Sequence, residues 1–149
     1  MQNTTFHWRA HITNLLSTDY LQIIRKHLAP GGVFYYNTTE SERVLQTGVT
    51  VFPYALRVKN FLAVSDSPLT VDQDAWRAVL VSYKIEGKPV LNLDVEQDRK
   101  TLAEVLAMAD SLHQAGDPAK GEMEYGETIR ARTRGQRIFT DDNMGAEWN

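Results

Sequence analysis

The sequence has no cysteine among its 149 residues, which excludes disulfide bonds, thiol nucleophiles and thiolate metal ligands. It has no long apolar run, so no transmembrane helix is predicted. It also has no excess of basic residues, because 16 Lys and Arg stand against 19 Asp and Glu, a net charge of −3. Since nucleic-acid binders usually carry a basic face, that class of function is disfavoured.

Three sequence motifs of enzyme sites are also absent. The chain contains no G-x-S-x-G, G-x-x-x-x-G-K-[ST] or G-x-G-x-x-G, the patterns of a hydrolase elbow, a phosphate-binding loop and a dinucleotide fold. Met1 leads into a polar run rather than an apolar one, so no secretory signal is predicted and we expect a cytoplasmic protein. The composition that remains, 42% hydrophobic and 23% charged, is typical of one globular domain.

The first 68 residues predict an α/β core. A helix begins near Ser17 and Thr18, either of which can cap it, and ends before Pro30-Gly31-Gly32. A buried strand is predicted at 33–36, a weaker helix at 41–52, and a hairpin of two strands at 56–58 and 61–65. One helix between the first two strands is enough for a crossover, so these strands are expected to form a parallel pair.

From residue 69 onward the chain predicts mostly helices. Thr70 and Gln73 have the spacing of a capping box, and Asp94 can cap a second helix. A short helix is predicted at 127–134 and a strand at 138–140. We therefore expect a single domain over 1–149, with a core over 1–68 and a helical extension over 69–149.

Carboxylates and histidines at the two ends of the chain are candidate ligand-binding residues. Asp141, Asp142 and Glu147 can bind an amine or a metal, or simply lie in solvent near the C-terminus. His7 and His11 have the spacing of two zinc ligands on a helix, but neither a glutamate between them nor a third ligand completes a metal motif. No metal site is expected.

A basic cluster lies near the end of the chain. Three acidic residues in the same stretch offset its charge, which predicts an ion-paired, solvated face rather than a phosphate or nucleic-acid site. The basic residues are Lys120, Arg130, Arg132, Arg134 and Arg137, and the acidic ones are Glu122, Glu124 and Glu127.

The chain opens with NTTFHWRAH at 3–11 and ends with TDDNMGAEW at 140–148. Between them lie NLLS at 14–17, HLAPGGVFYYNTT at 27–39 and FLAVSDSP at 61–68. Together these stretches resemble the spermidine synthase-like group of class I S-adenosylmethionine-dependent transferases. The opening and the ending are the more specific stretches, since a helix, Pro-Gly-Gly and a strand occur in many methyltransferases.

The resemblance implies a Rossmann-like sheet with the strand order 3-2-1-4-5-7-6. The strand from Val33 to Tyr36 would be the fifth, and the hairpin would supply the sixth and seventh. The fold class is therefore expected to be α/β, the C-terminal half of such a sheet with a helical C-terminal extension. Strands one to four, with the glycine loop for the cofactor, would lie before Met1. The isolated chain is accordingly expected to bind no cofactor, although the family binds S-adenosylmethionine or its decarboxylated form.

The resemblance also implies roles for individual residues. Asn3 stands where the family has the catalytic aspartate that helps to deprotonate the attacking amine, and an amide cannot act as a general base. Thr4 and Thr5 match polar positions beside the cofactor. Asp141 and Asp142 are the candidates for binding the substrate amine.

The function expected from the resemblance is that of a spermidine synthase-like protein, an aminopropyltransferase relative that is not competent alone. The alternatives are a non-catalytic binding or assembly module, and a methyltransferase completed by another chain. Because the strand from Val33 to Tyr36 would lack its fourth-strand neighbour, we expect a homodimer through that edge. No nucleic-acid or membrane partner is expected.

Overall fold

Helices and strands alternate along the first half of the chain. The computed structural model describes residues 13–112 and 117–143. The helices are α1 (Thr18–His27), α2 (Glu42–Val51), α3 (Gln73–Ser82), α4 (Glu96–Ala107) and α5 (Gly126–Arg132). The strands are β1 (Val33–Asn37), β2 (Tyr54–Val58), β3 (Phe61–Ser65), β4 (Lys84–Ile85), β5 (Lys88–Pro89) and β6 (Met123–Tyr125). The predicted mixed α/β class is confirmed.

The main sheet has four strands in the order β1-β3-β2-β6. Strand β3 is antiparallel to both of its neighbours, with Ser65 opposite Val33 on one side and opposite Tyr54 on the other. Strands β1 and β2 therefore point in the same direction, but they do not pair. The expected parallel pair is wrong in this respect, because the second strand of the hairpin lies between them.

Local signals account for the elements of the core. Ser17 caps α1 by accepting a hydrogen bond from the backbone of Tyr20, and Ser41 caps α2 in the same way. Gly31 has a φ of +74°, a conformation that few other residues adopt, in the turn that leads into β1. In the hairpin, Val58 lies opposite Phe61, as the sequence predicts.

One apolar core lies between this sheet and the helices α1, α2 and α5. Tyr36 of β1 and Leu62 of β3 are fully buried in it. Gly48 of α2 lies against both, since a Cβ atom there would be 2.3 Å from Tyr36 Oη and 2.6 Å from Leu62 Cδ2. The absence of a side chain at Gly48 therefore lets α2 approach the sheet closely.

The chain divides into two compact units. The first contains the described residues up to Leu69 together with those from Glu124 onward, and the second is Thr70–Met123. The N-terminal segment of the first unit ends at Leu69, one residue after the predicted end of the core at residue 68. Residues 124–143, which were expected in the helical extension, belong with the core.

The second unit contains α3, α4 and the small hairpin β4–β5. Asp72 caps α3 by accepting a bond of 2.9 Å from Ala75, so the capping box predicted at Thr70 is wrong. Val95 is the N-cap residue of α4, and no side-chain hydrogen bond caps that helix. The cap predicted at Asp94 is therefore wrong. The hairpin turns at Glu86 and Gly87, which both have positive φ.

Candidate functional site

Polar side chains gather where β1 ends. Asn37 Oδ1 accepts bonds from the backbone of Thr39 at 2.8 Å and from Asn60 Nδ2 at 3.2 Å. Thr38 donates to the Asn60 carbonyl through both its backbone, at 2.7 Å, and its hydroxyl, at 2.8 Å. The turn between β2 and β3 is therefore hydrogen-bonded to the carboxyl end of β1.

The backbone is strained at the same place. Thr39 and Glu40 have φ values of 53° and 62°, although neither is glycine. Such conformations cost on the order of 1–3 kcal/mol each and concentrate at functional sites. A β-branched residue such as Thr39 is especially rare in this region. Ser41 follows immediately and begins α2, so the chain turns sharply from strand to helix here.

The segment from Arg137 to Asp141 bonds both to the start of α1 and to α2. The carbonyl of Phe139 accepts from the Thr18 backbone at 2.8 Å, and its N–H donates to Thr47 Oγ1 at 3.0 Å. The guanidinium of Arg43 lies 4.1 Å from the centre of the Phe139 ring and donates to the Arg137 carbonyl. Because Phe139 bonds to α1 and α2 in this way rather than to a neighbouring strand, residues 138–140 form no strand, and the strand predicted there is wrong.

Asp141 lies at the start of α1. Its Oδ1 accepts a bond of 2.6 Å from the buried hydroxyl of Ser17, and its N–H donates to Asp19 Oδ2 at 3.0 Å. Asp141 remains exposed, as does Asp142. Two carboxylates, those of Asp19 and Asp141, therefore lie close together with open faces. Such an arrangement attracts a cation such as a protonated amine.

The basic cluster forms internal contacts. Arg132 donates to Glu124 at 2.7 and 2.8 Å and also pairs with Glu42, and its hydrogen bonds to Glu124 raise the pKa of Arg132. Glu124, only 2% exposed, also accepts from the buried Arg57 at 3.1 Å. The predicted ion pairing is therefore confirmed for Arg132, but this cluster lies partly inside the protein rather than on a solvated face.

The predicted site residues are only partly described. Asp141 lies at the start of α1 and Asp142 follows it in the chain, whereas Asn3, Thr4, Thr5, His7 and His11 lie outside the described residues, as does Glu147. Within 13–112 and 117–143, no group of three His, Asp or Glu residues could hold a metal ion. None of the helices there combines the length and apolar character needed to cross a bilayer.

Sequence reasoning missed the network at Asn37 and Asn60. The available signal was the polar run that directly follows an apolar strand, but the pairing with the hairpin turn depends on strand order. Comparison with protein-family models, with curated proteins and with solved structures gives no match.

Proposed function

We propose that this chain is the second half of a spermidine synthase-like transferase and forms the side of the site that binds the acceptor amine. The observation that carries this proposal is the strand order β1-β3-β2, with β3 antiparallel between two strands that point the same way. The resemblance implies the same arrangement for strands five, seven and six. The Rossmann-like fold and the transfer activity both belong to the proposal.

This strand order is more specific than the α/β class alone. Three strands joined by short turns would pair in chain order, each beside the one before it. Here α2 connects β1 to β2, which lies two positions away from β1 in the sheet. The hairpin then places β3 between these two strands. A connection of this kind needs a helix between β1 and β2 and a tight turn between β2 and β3, and both are present.

The carboxylates near the start of α1 supply the amine-binding side of the proposed site. The Ser17 hydroxyl fixes one oxygen of Asp141, which leaves the other free to accept from an ammonium group. Asp142 and Asp19 add negative charge nearby, although Asp142 makes no described contact of its own. A diamine of the putrescine type carries the charge that this surface attracts.

The transfer itself would join an amine nitrogen to a carbon of the cofactor as the bond from that carbon to sulfur breaks. The chain supplies Thr4 and Thr5 beside the cofactor in this proposal. Asn3 cannot accept the proton of the attacking amine. The isolated chain is therefore expected to bind amines without transferring an aminopropyl group to them.

Amide NMR with putrescine as the probe tests the proposed amine site. We expect shifts concentrated at Ser17, Asp19 and Asp141. Asp141→Asn keeps the Ser17 contact but removes the charge, and it should weaken binding about tenfold, since charge-assisted bonds are about twice as strong as neutral ones. The matched control Asp74→Asn removes one exposed charge from α3 and should leave the affinity unchanged. Equal weakening by both variants would mean a nonspecific charge effect and contradict the proposal.

An assembly role is the second candidate, and the edge position of β1 favours it. Among the described residues, β1 pairs with β3 alone, and Val33 is 49% exposed. An open strand edge can pair with another chain. A two-fold dimer through the edge of β1 is therefore part of the proposal. In the remaining alternative, a methyltransferase completed by a different chain, the same edge would pair with that chain.

A further inference from the structure

A cleft of about 330 Å³ lies at the opposite end of the sheet from the proposed amine site. It opens where β2 begins and where the chain leaves β3, beside the start of α5. Its walls are mostly apolar and aromatic, and they contain one acidic and one basic side chain. The lining residues include Tyr54, Leu69, Tyr125, Glu127 and Arg130.

Arg130 is held in place by backbone oxygens rather than by a carboxylate. Its Nη2 donates to the carbonyls of Val49 at 2.9 Å, Phe52 at 3.3 Å and Pro53 at 3.4 Å. These carbonyls belong to the end of α2 and the residues after it, so the guanidinium has a fixed position. No described carboxylate pairs with it, in contrast to Arg132. Its positive charge therefore lacks an anionic partner within the described part of the chain.

Glu127 is the complementary group. It lies one helical turn before Arg130, at the i, i+3 spacing that places two side chains on the same face of a helix. The two residues line one cleft and yet form no ion pair with each other, since Arg130 is bound to the carbonyls instead. Glu127 is exposed and has no basic partner among the described residues.

We propose that this cleft binds a zwitterionic α-amino acid with an apolar side chain. The carboxylate of the ligand would meet Arg130 and its ammonium group would meet Glu127, while the side chain packs against the rings of Tyr54 and Tyr125. A cleft of this volume is at the lower end of the range for small-molecule sites, which suits a ligand of this size. This inference stands apart from the proposed transferase function, because it uses neither the carboxyl end of β1 nor Asp141.

The two charges make the ligand class specific. A simple amine would leave Arg130 without an anion, and a simple carboxylate would leave Glu127 without a cation and place two negative charges close together. Only a ligand with both groups satisfies both residues. The aromatic walls then favour a large apolar side chain over a small or charged one.

Amide NMR titration with L-phenylalanine tests the proposal. Ordinary ligand efficiency for a molecule of this size gives a Kd of about 2 mM. We expect shifts at Tyr54, Tyr125 and Gly126, and binding at least about tenfold weaker for phenethylamine and for 3-phenylpropionate, which each lack one charged group. Equal binding of either analogue, or no shifts at these residues at about 20 mM phenylalanine, would overturn the proposal.

Variants separate the role of the charges from a general loss of structure. Glu127→Gln alters an exposed side chain and should weaken phenylalanine binding about tenfold without weakening that of 3-phenylpropionate. Glu104→Gln removes a matched exposed charge from α4 and should change neither affinity. Because Arg130 also bonds to the end of α2, its replacement can disturb the fold, so the ligand series tests its role instead. Unchanged phenylalanine binding by Glu127→Gln would contradict the proposal.

Discussion

The carboxylate of Glu124 holds two guanidinium groups in the interior, those of Arg57 and Arg132. Its side chain is 1% exposed and that of Arg57 is 9% exposed. Removing one member of a buried ion pair leaves the other charged and poorly solvated, which costs about 3–5 kcal/mol. We therefore expect Glu124→Gln to lower the free energy of unfolding by an amount in this range, measured by urea denaturation.

The pair Arg25–Asp66 is the matched control for Glu124. Its side chains are 42% and 48% exposed, so solvent screens their interaction. Surface pairs of this kind contribute about 0–1 kcal/mol. Asp66→Asn should therefore cost less than about 1 kcal/mol, and a loss equal to that of Glu124→Gln would contradict the distinction between buried and exposed pairs.

Gly48 packs directly against Tyr36, so we expect substitutions at the two positions to have coupled effects on stability. Alanine favours a helix over glycine by about 1 kcal/mol, but its Cβ would overlap Tyr36 Oη. We expect Gly48→Ala to lower the free energy of unfolding by about 1–3 kcal/mol, as overpacking does. In a Tyr36→Phe background the loss should be smaller, because the overlapping oxygen is gone. A double-mutant cycle measures this coupling, and strictly additive losses would show that the contact does not cause the effect.

Tyr36 also predicts a dependence on alkaline pH. Its hydroxyl is fully buried and bonds to no described group, and burial raises the pKa of Tyr36 well above its ordinary value of about 10. The folded state then keeps this proton at a pH where the unfolded state loses it. Stability is therefore full below pH 10 and falls as the pH rises above it, by up to about 1.4 kcal/mol per unit for this one group.

Tyr36→Phe should remove the part of the stability loss above pH 10 that comes from Tyr36. It should also be close to neutral at pH 7, because the hydroxyl that it removes has no described hydrogen-bond partner. Urea denaturation of both proteins from pH 8 to pH 11 provides the comparison. Parallel curves for the two proteins would show that Tyr36 does not titrate on unfolding.

At the scale of helices and strands, local signals predicted the first unit well. Ser17 and Pro30-Gly31-Gly32 act within a few residues, so their effects can be read from the sequence. Where a prediction is wrong, contacts with residues distant in sequence determine the structure. Residues 138–140 have the composition of a strand, but the bonds from Phe139 to Thr18 and Thr47 hold them in another conformation.

The strand β6 and the buried Glu124 could not be predicted for the same reason. Glutamate in a charged stretch ordinarily indicates a surface. Its burial depends on Arg57, which lies 67 residues earlier in the chain. Nothing in the sequence around Glu124 signals that this segment returns to the sheet beside β2.

The edge of β1 is the element on which the expected homodimer depends. We expect a mass of twice 16.9 kDa by light scattering at tens of micromolar. Tyr35→Lys should restore the single mass by placing a charge on the edge strand. Tyr35 also stacks on Phe61 at 4.9 Å, so Val33→Lys, at a more exposed position of the same strand, is the second variant. A mass near 16.9 kDa for the unaltered protein would contradict the dimer.

At the scale of the whole molecule, the sequence predicted the mixed α/β class of the fold. Strand order came only through the family resemblance, since periodicity alone does not say which strands pair. Amine binding by Asp141 stays a prediction, and the structure shows only that its carboxylate accepts a hydrogen bond from Ser17 at the start of α1. The network of Asn37, Thr38 and Asn60 joins segments far apart in sequence, so it became visible only once the chain was folded.

The central claim is that this chain forms the amine side of a transferase and does not hold the cofactor by itself. Calorimetry with decarboxylated S-adenosylmethionine and the isolated chain tests it most directly. A ligand gains most of its affinity when it is enclosed, and the proposed site encloses only one side. We expect no binding tighter than a Kd of roughly 10 μM, about −7 kcal/mol. A Kd below that value would contradict the claim, because the chain would then hold the cofactor by itself.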